Sequence, residues 1–179
     1  MRRFVTIWLA SLALAGAQHA QAAASSWDNY VATYGNFGCA VTEQPHGAID
    51  QILVSCDQEK IIEAFPTLQQ LGFVNPDITQ TQLNTMPTAF AGAFLLQITT
   101  SLIEPYYAAK HGDRTLWGGA LLVPDRYGHE ANHLAFTFRF TRALDQRIDW
   151  DHFQVSNLSK VAPEFQATPW WGAHAFGSQ

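Results

Sequence analysis

The sequence predicts an α+β domain: an antiparallel sheet of about four to six strands, short helices packed on one face, and one disulfide. Three observations carry this. Leu134, Phe136, Phe138 and Phe140 alternate with Ala135, Thr137, Arg139 and Thr141, the period of a half-buried strand. Cys39 and Cys56 flank Pro45-His46-Gly47, in line with Phe37 and Val41 on one side and Ile52 and Val54 on the other. Elsewhere, residues 27–34 and 61–71 carry apolar side chains at helical spacing. Strand-like and helix-like segments that follow one another without strict alternation belong to the α+β class.

The chain of 179 residues opens on an address label. Arg2 and Arg3 precede an apolar run from Phe4 to Ala17, and Ala20-Gln21-Ala22 has the small-x-small form that a signal peptidase cuts, with a cut after Ala24 as the near alternative. Residues 1–24 are therefore expected to be a cleaved signal peptide, and 25–179 a single exported domain ending in an aromatic tail. Export places the domain in the periplasm or outside the cell. No second apolar run of membrane length follows, so no membrane span is expected after cleavage.

Within the domain, Trp27, Tyr30, Val31 and Tyr34 make one face of a short helix, with Ser26 as its cap and Gly35-Asn36 as its end. If Pro45-His46-Gly47 is a turn, Phe37, Cys39 and Val41 share a strand face with Ile52, Val54 and Cys56. Two cysteines in an exported chain then make one structural disulfide. Ser55 to Gln58 reads as a capping box for a helix through Ile61, Ala64, Phe65, Leu68 and Leu71. Pro66 splits that helix near Phe65, and Gly72 closes it. A polar connector over residues 75–87 includes one turn of helix after Asp77. The apolar residues of 89–103 would fit a buried helix, but the alternation of Phe94, Leu96 and Ile98 and the β-branched Ile98-Thr99-Thr100 favour a strand over residues 93–103. Gly119 to Val123, closed by Pro124, pairs with the 134–141 strand through a loop over residues 125–132. Together these three strands make an antiparallel meander. A short helix is expected within residues 157–165.

Charge excludes two classes of partner. Removing Arg2 and Arg3 takes the formal charge from −5 to −7, and Lys and Arg form no cluster. Nucleic acid and anionic membrane surfaces are poor partners for such a chain.

One motif points to chemistry. His129-Glu130-Ala131-Asn132-His133 is a literal H-E-x-x-H and resembles the signature of a large class of zinc peptidases. That resemblance implies His129 and His133 as zinc ligands and Glu130 as general base, with Asp149, Asp151, His152 or Glu164 as third ligand. The class places its motif in a helix, because i and i+4 side chains project together from one helical face. Here strand alternation begins at His133 or Leu134, which leaves a helix about one and a half turns. The reading from the residues is a solvated hairpin tip, no cofactor and no catalytic residue. It leaves zinc through His129 and His133, with Glu130 as base of a small secreted hydrolase, as the alternative. The function expected is a non-catalytic binding protein: an inhibitor, an immunity-type protector or an accessory factor of an envelope or secretion system. Its partner is another protein, and Trp170, Trp171 and Phe176 of the tail are the candidate binding residues, with Trp170 the more packed and Trp171 the more outward.

Overall fold

The computed structural model describes residues 27–110, 112–125 and 127–175. Residues 1–24, expected to be a signal peptide, and Ser26, His111 and Phe176 lie outside the described residues, so the expectations placed on them have no structural counterpart here.

The domain begins with α1 (Trp27–Gly35), which buries Trp27 and Tyr34 as its apolar spacing predicts. The disulfide hairpin follows, β1 (Cys39–His46) and β2 (Ile49–Asp57). Its turn is Gly47-Ala48, later in the chain than Pro45-His46-Gly47 would place it, and Gly47 has a φ of +64° that favours glycine. Cys39 therefore lies directly opposite Cys56, and the two are bonded. Ile52, Val54 and both cysteines are buried on one face, and Val41 is half-buried beside them. Such a bond fits an oxidising compartment. The bridge closes a sequence separation of 17. Replacing both cysteines by Ser is expected to remove about 3 kcal/mol and lower the melting temperature by several degrees. Unchanged melting after both substitutions, or free thiols in periplasmic protein, would show that the staple contributes nothing.

Next come α2 (Gln58–Glu63) and α3 (Phe65–Gln70), two short helices that break at Ala64, one residue before the Phe65 junction the sequence predicts. The cap differs from the expected one. Asp57 Oδ1 accepts the N–H groups of Glu59 and Lys60, while Ser55 stays in β2. After Gly72, whose φ is +76°, α4 (Gln80–Thr85) starts on a capping box between Thr79 and Gln82.

The largest departure is residues 93–103. They form most of the helix α5 (Pro87–Ser101), followed by α6 (Ile103–Ala109). The helix is buried on nearly every side, with Phe90, Phe94, Leu95 and Ile98 in the core together with Gln97, Thr99 and Thr100. All-round burial erases the 3.6-residue signature and leaves a chance alternation in its place. The two threonines settle the matter locally: Thr99 Oγ1 donates to Leu95 O at 2.8 Å and Thr100 Oγ1 to Leu96 O at 2.7 Å. Each hydroxyl is satisfied within its own helix, so their strand preference is outweighed.

Because that segment is helical, the chain from β2 to β3 (Arg114–Pro124) is a crossover, and β2 and β3 pair in parallel. The expected three-stranded meander is thus a hairpin of β3 with β4 (Glu130–Thr141), preceded by helices. The sheet is five-stranded in the order β1-β2-β3-β4-β5, where β5 is Gln166–Ala167, and all its pairs but β2–β3 are antiparallel. Beyond β4 the chain turns through α7 (Arg142–Asp145), two 3₁₀ turns and α8 (Leu158–Val161), shorter than the helix expected over 157–165. The aromatic tail is the helix α9 (Pro169–Ala175). Trp117, Phe136, Phe138 and Phe140 of the sheet, with Phe90, Phe94 and Ile98 of α5, form one continuous core.

Candidate binding face

Since Cys39, Ile52, Val54, Trp117, Phe136 and Phe138 point to the helices, the pleat sends their neighbours to the opposite side. The register lines these up in rows. Thr42, Leu53, Gly118 and Thr137 make the central row, flanked by Ala40, Ser55, Ala120 and Leu134 on one side and by Gln44, Gln51, Leu116 and Arg139 on the other. Among the described residues no helix lies across these rows. Leu53 and Leu134 remain 36% and 44% exposed. Gly118 has no side chain to fill the gap between them; a Cβ there would lie 3.2 Å from Leu53 Cδ1 and 3.7 Å from Leu134 Cδ1. The result is a trough of about 200 Å³, floored by Gly118 and walled by Leu53, Leu134, Leu116 and Thr137. Its walls are aliphatic carbons, amides and hydroxyls. The charge on its margin, Arg139, is paired with Glu164 at 3.2 Å.

Leu134 reaches this face through a defect in β4. The alternation predicts Leu134 on the buried side, in line with Phe136, Phe138 and Phe140. The register shifts between Gly119 and Ala120, so Phe136 pairs with Gly119 but Leu134 pairs with Ala120. Ala135 is the extra residue of a β-bulge, and beyond it the two faces exchange. The ring of Phe136 lies against Gly119, where a Cβ would overlap it, so this crossing of strands requires glycine.

The H-E-x-x-H segment lies at the far end of β4. The turn runs from Asp125 to His129: Gly128, with φ +81°, donates to Asp125 O at 3.0 Å and Asp125 N–H donates to His129 O at 2.8 Å. The expected loop over 125–132 is shorter, because pairing already starts at Glu130. Asp125 Oδ1 accepts the N–H groups of Tyr127 and His129, and these bonds hold its carboxyl below the usual carboxylate range. His129 Nδ1 sits 3.5 Å from Asp125 Oδ2. On the strand, Glu130 and His133 fall on opposite faces, and His133 stacks flat on Trp170 with ring centroids 4.3 Å apart. The proposed third ligands are engaged elsewhere or apart: Asp149 with His152 at 2.8 Å, Glu164 with Arg139, and Asp151 exposed on a 3₁₀ turn. Among the described residues no group of three or more His, Cys, Asp or Glu could hold a metal ion. A strand cannot give the i, i+4 alignment on which the resemblance to zinc peptidases depends. Protein purified without chelator or histidine tag is expected to carry far less than one zinc per chain by metal analysis. Stoichiometric zinc, lost on His133→Ala, would reverse that assignment.

The tail divides differently from expectation. Trp171 is the buried tryptophan, 8% exposed, with its ring 5.2 Å from Phe136 and its Nε1 over Gly92 of α5. Trp170 is half-buried on His133. Sequence periodicity missed this because seven residues of helix offer no repeat to read. The open face was missed for another reason: its residues, mostly small or uncharged, resemble any solvated strand surface. The one signal that marked it was Gly118-Gly119 inside an apolar strand.

Tyr106 and Tyr107, at the opposite end of the sheet, belong to the framework. Tyr106 Oη donates to Asp50 Oδ2 at 2.7 Å, and burial pushes its phenol up; burial also pushes the Tyr107 phenol up to about 12. Both hydroxyls keep their protons throughout the physiological range. Arg142 braces the same end, donating to the carbonyls of Tyr107, Lys110 and Gly112. No helix of the described residues is long and apolar enough to cross a membrane. Comparison with protein-family models, with curated proteins and with solved structures finds no match to the chain.

Proposed function

We propose that the chain is an exported, non-catalytic binding protein, and that the open face of its sheet is where its partner docks. The partner is another protein in the cell envelope or outside the cell, which the chain inhibits, protects against or assists. The observation that carries this reading is the uncovered open face, on which Leu53 of the central row and Leu134 of the row beside it stand exposed around Gly118 in a neutral trough. Exposed leucines grouped on a flat, uncharged surface gain by being covered, at roughly 25 cal/mol per Å² of apolar area. Depletion of charge at the centre, with amides and hydroxyls around it, is the composition of a protein-binding patch. The leader and the disulfide support export.

The test uses the mature chain immobilised against the envelope fraction and culture medium of its own host. Leu53→Arg puts a charge into the trough without touching the core, so melting should be within about a degree of the parent. Partner capture is expected to fall at least tenfold. A partner retained equally by the parent and Leu53→Arg would overturn the assignment of this face.

A further inference from the structure

The outer edge of β4 is covered along one half and bare along the other. In an antiparallel ladder, successive residues turn their N–H and C=O alternately toward and away from the neighbouring strand. The turn fixes the phase. Asp125 N–H bonds to His129 O, so the next pair, Pro124 with Glu130, exchanges no bonds, as the missing N–H of Pro124 requires. Ala131 and His133 then face β3, whereas Glu130, Asn132 and Leu134 face outward. The bulge at Ala135 shifts the phase, and Thr137 and Arg139 face outward beyond it. The returning chain meets the outward groups in that second half: Thr168 Oγ1 donates to Leu134 O at 2.7 Å, Thr168 N–H to Ala135 O at 2.8 Å, and Arg139 N–H to Pro163 O at 3.3 Å, with β5 between. Among the described residues nothing meets the N–H and C=O of Glu130 and Asn132.

The edge at β1 is built differently. Cys39 and Cys56, with Cα atoms 4.0 Å apart, are a pair without mutual bonds, so Cys39, Val41, Glu43 and Pro45 face outward there. Pro45 presents no donor. Glu43 turns its carboxylate toward the helices, where Trp27 Nε1 donates to it at 2.5 Å and Lys110 lies at 3.3 Å. Proline and an inward charge are the devices that prevent an edge from adding strands. Residues 130–133 have neither: Ala131 and His133 face the helix side, and Glu130 and Asn132 the open side.

We propose that residues 130–133 of β4 receive an extended segment of a protein partner as an added strand, antiparallel to β4. The inference rests on the proposed binding function and names how the partner enters. Two donors and two acceptors give four backbone hydrogen bonds, and the neighbouring side chains set the sequence accepted. In N-to-C order the segment presents an apolar residue beside His133 and Trp170, an uncharged polar residue opposite Asn132, a bulky residue opposite the small Ala131, and Lys or Arg opposite Glu130. The last choice follows from charge: Glu130 and Asp125 lie at this end of a chain whose net charge is −5. None of the residues opposite Glu130 and Asn132 is proline, since each must donate.

The probe is the blocked peptide Thr-Val-Thr-Val-Lys-Thr, with a control in which its central Thr is Pro, read by NMR amide hydrogen exchange on the mature chain. In the free protein the amides of Glu130 and Asn132 should exchange fast and those of Ala131 and His133 slowly. The peptide should slow the first two at least tenfold, with a Kd on the order of 1 mM for four such bonds, and the Pro control should not. Asn132→Pro removes one outward donor and leaves the β3 ladder intact, as Pro45 does in β1, so the variant should fold and bind the peptide at least tenfold more weakly. No slowing at about 10 mM peptide, or equal binding by Asn132→Pro, overturns the proposal. So does protection of the same amides that rises with protein concentration alone, which would assign this edge to a second copy of the chain. A natural partner that is lost with Leu53→Arg but kept by Asn132→Pro would leave the binding face standing and overturn the added strand.

Discussion

Trp171→Ala is expected to cost about 3–5 kcal/mol, the usual range for removing a buried tryptophan. The residue is 8% exposed and holds α9 against two elements at once, Phe136 of β4 and Gly92 of α5. Gly92 is what allows the approach, because a Cβ there would lie 2.6 Å from the indole Nε1. For a domain of this length the loss corresponds to roughly 10 °C in melting temperature. Deleting residues 169–179 should act in the same direction. Trp171→Phe separates packing from polarity. Among the described residues the buried indole Nε1 has no hydrogen-bond partner, so its loss costs nothing by itself, and Phe should retain most of the stability. A Trp171→Ala protein that melts with the parent would show that α9 does not seal the core.

Trp117→Ala is the second large effect, again about 3–5 kcal/mol, measured by urea unfolding with the midpoint and slope both recorded. Trp117 is fully buried at the middle of β3, stacked on Phe138 at 6.4 Å and edge-on to Tyr106 at 5.7 Å. It also carries a polar role. Its Nε1 donates to Thr115 Oγ1 at 2.7 Å, and the Tyr107 hydroxyl meets the same oxygen at 2.7 Å. Trp117→Phe keeps much of the volume but leaves Thr115 one bond short, and should fall between Ala and the parent. Because the Trp117 backbone floors the trough beside Gly118, the Ala variant should also bind any partner of that face more weakly. Equal stability of the Ala and Phe variants would mean that the hydrogen bond, rather than the ring, carries the residue's contribution.

Several elements were legible before any coordinates. The hairpin of β3 and β4 follows from a two-residue period and a Pro-bounded turn, and the disulfide follows from two cysteines that alternate with apolar neighbours. A break near Phe65 follows from Pro66, which cannot donate within a helix, and the structure places it at Ala64. These are local rules, and each needs only a few neighbouring residues. The candidate site was hardly legible. The open face draws residues from four strands, and it is a face only because the crossover from β2 to β3 puts its helices on the other side. With residues 93–103 as a strand there is no such crossover, and no reason for one face to be bare. The most catalytic-looking motif lay on an extended strand, where three specified letters lose the geometry that gives them meaning.

What the sequence determined by itself was the material of the domain: an apolar period of two in β4, helical faces in α1 to α3, a staple, and a net negative charge. Tertiary structure alone decided how those pieces face one another. It made α5 a helix buried on nearly every side, paired β2 with β3 in parallel, and placed a bulge at Ala135 that carries Leu134 to the open side. It also turned Trp171 inward and left the backbone of Glu130 and Asn132 without partners among the described residues. The physical reason is the range of the interactions. Periodicity, capping and turn chemistry act over a few residues and are written in neighbouring letters. Burial, register and the covering of an edge are set by segments far apart in the chain, where Thr168 bonds to Leu134 and Trp171 rests on Gly92.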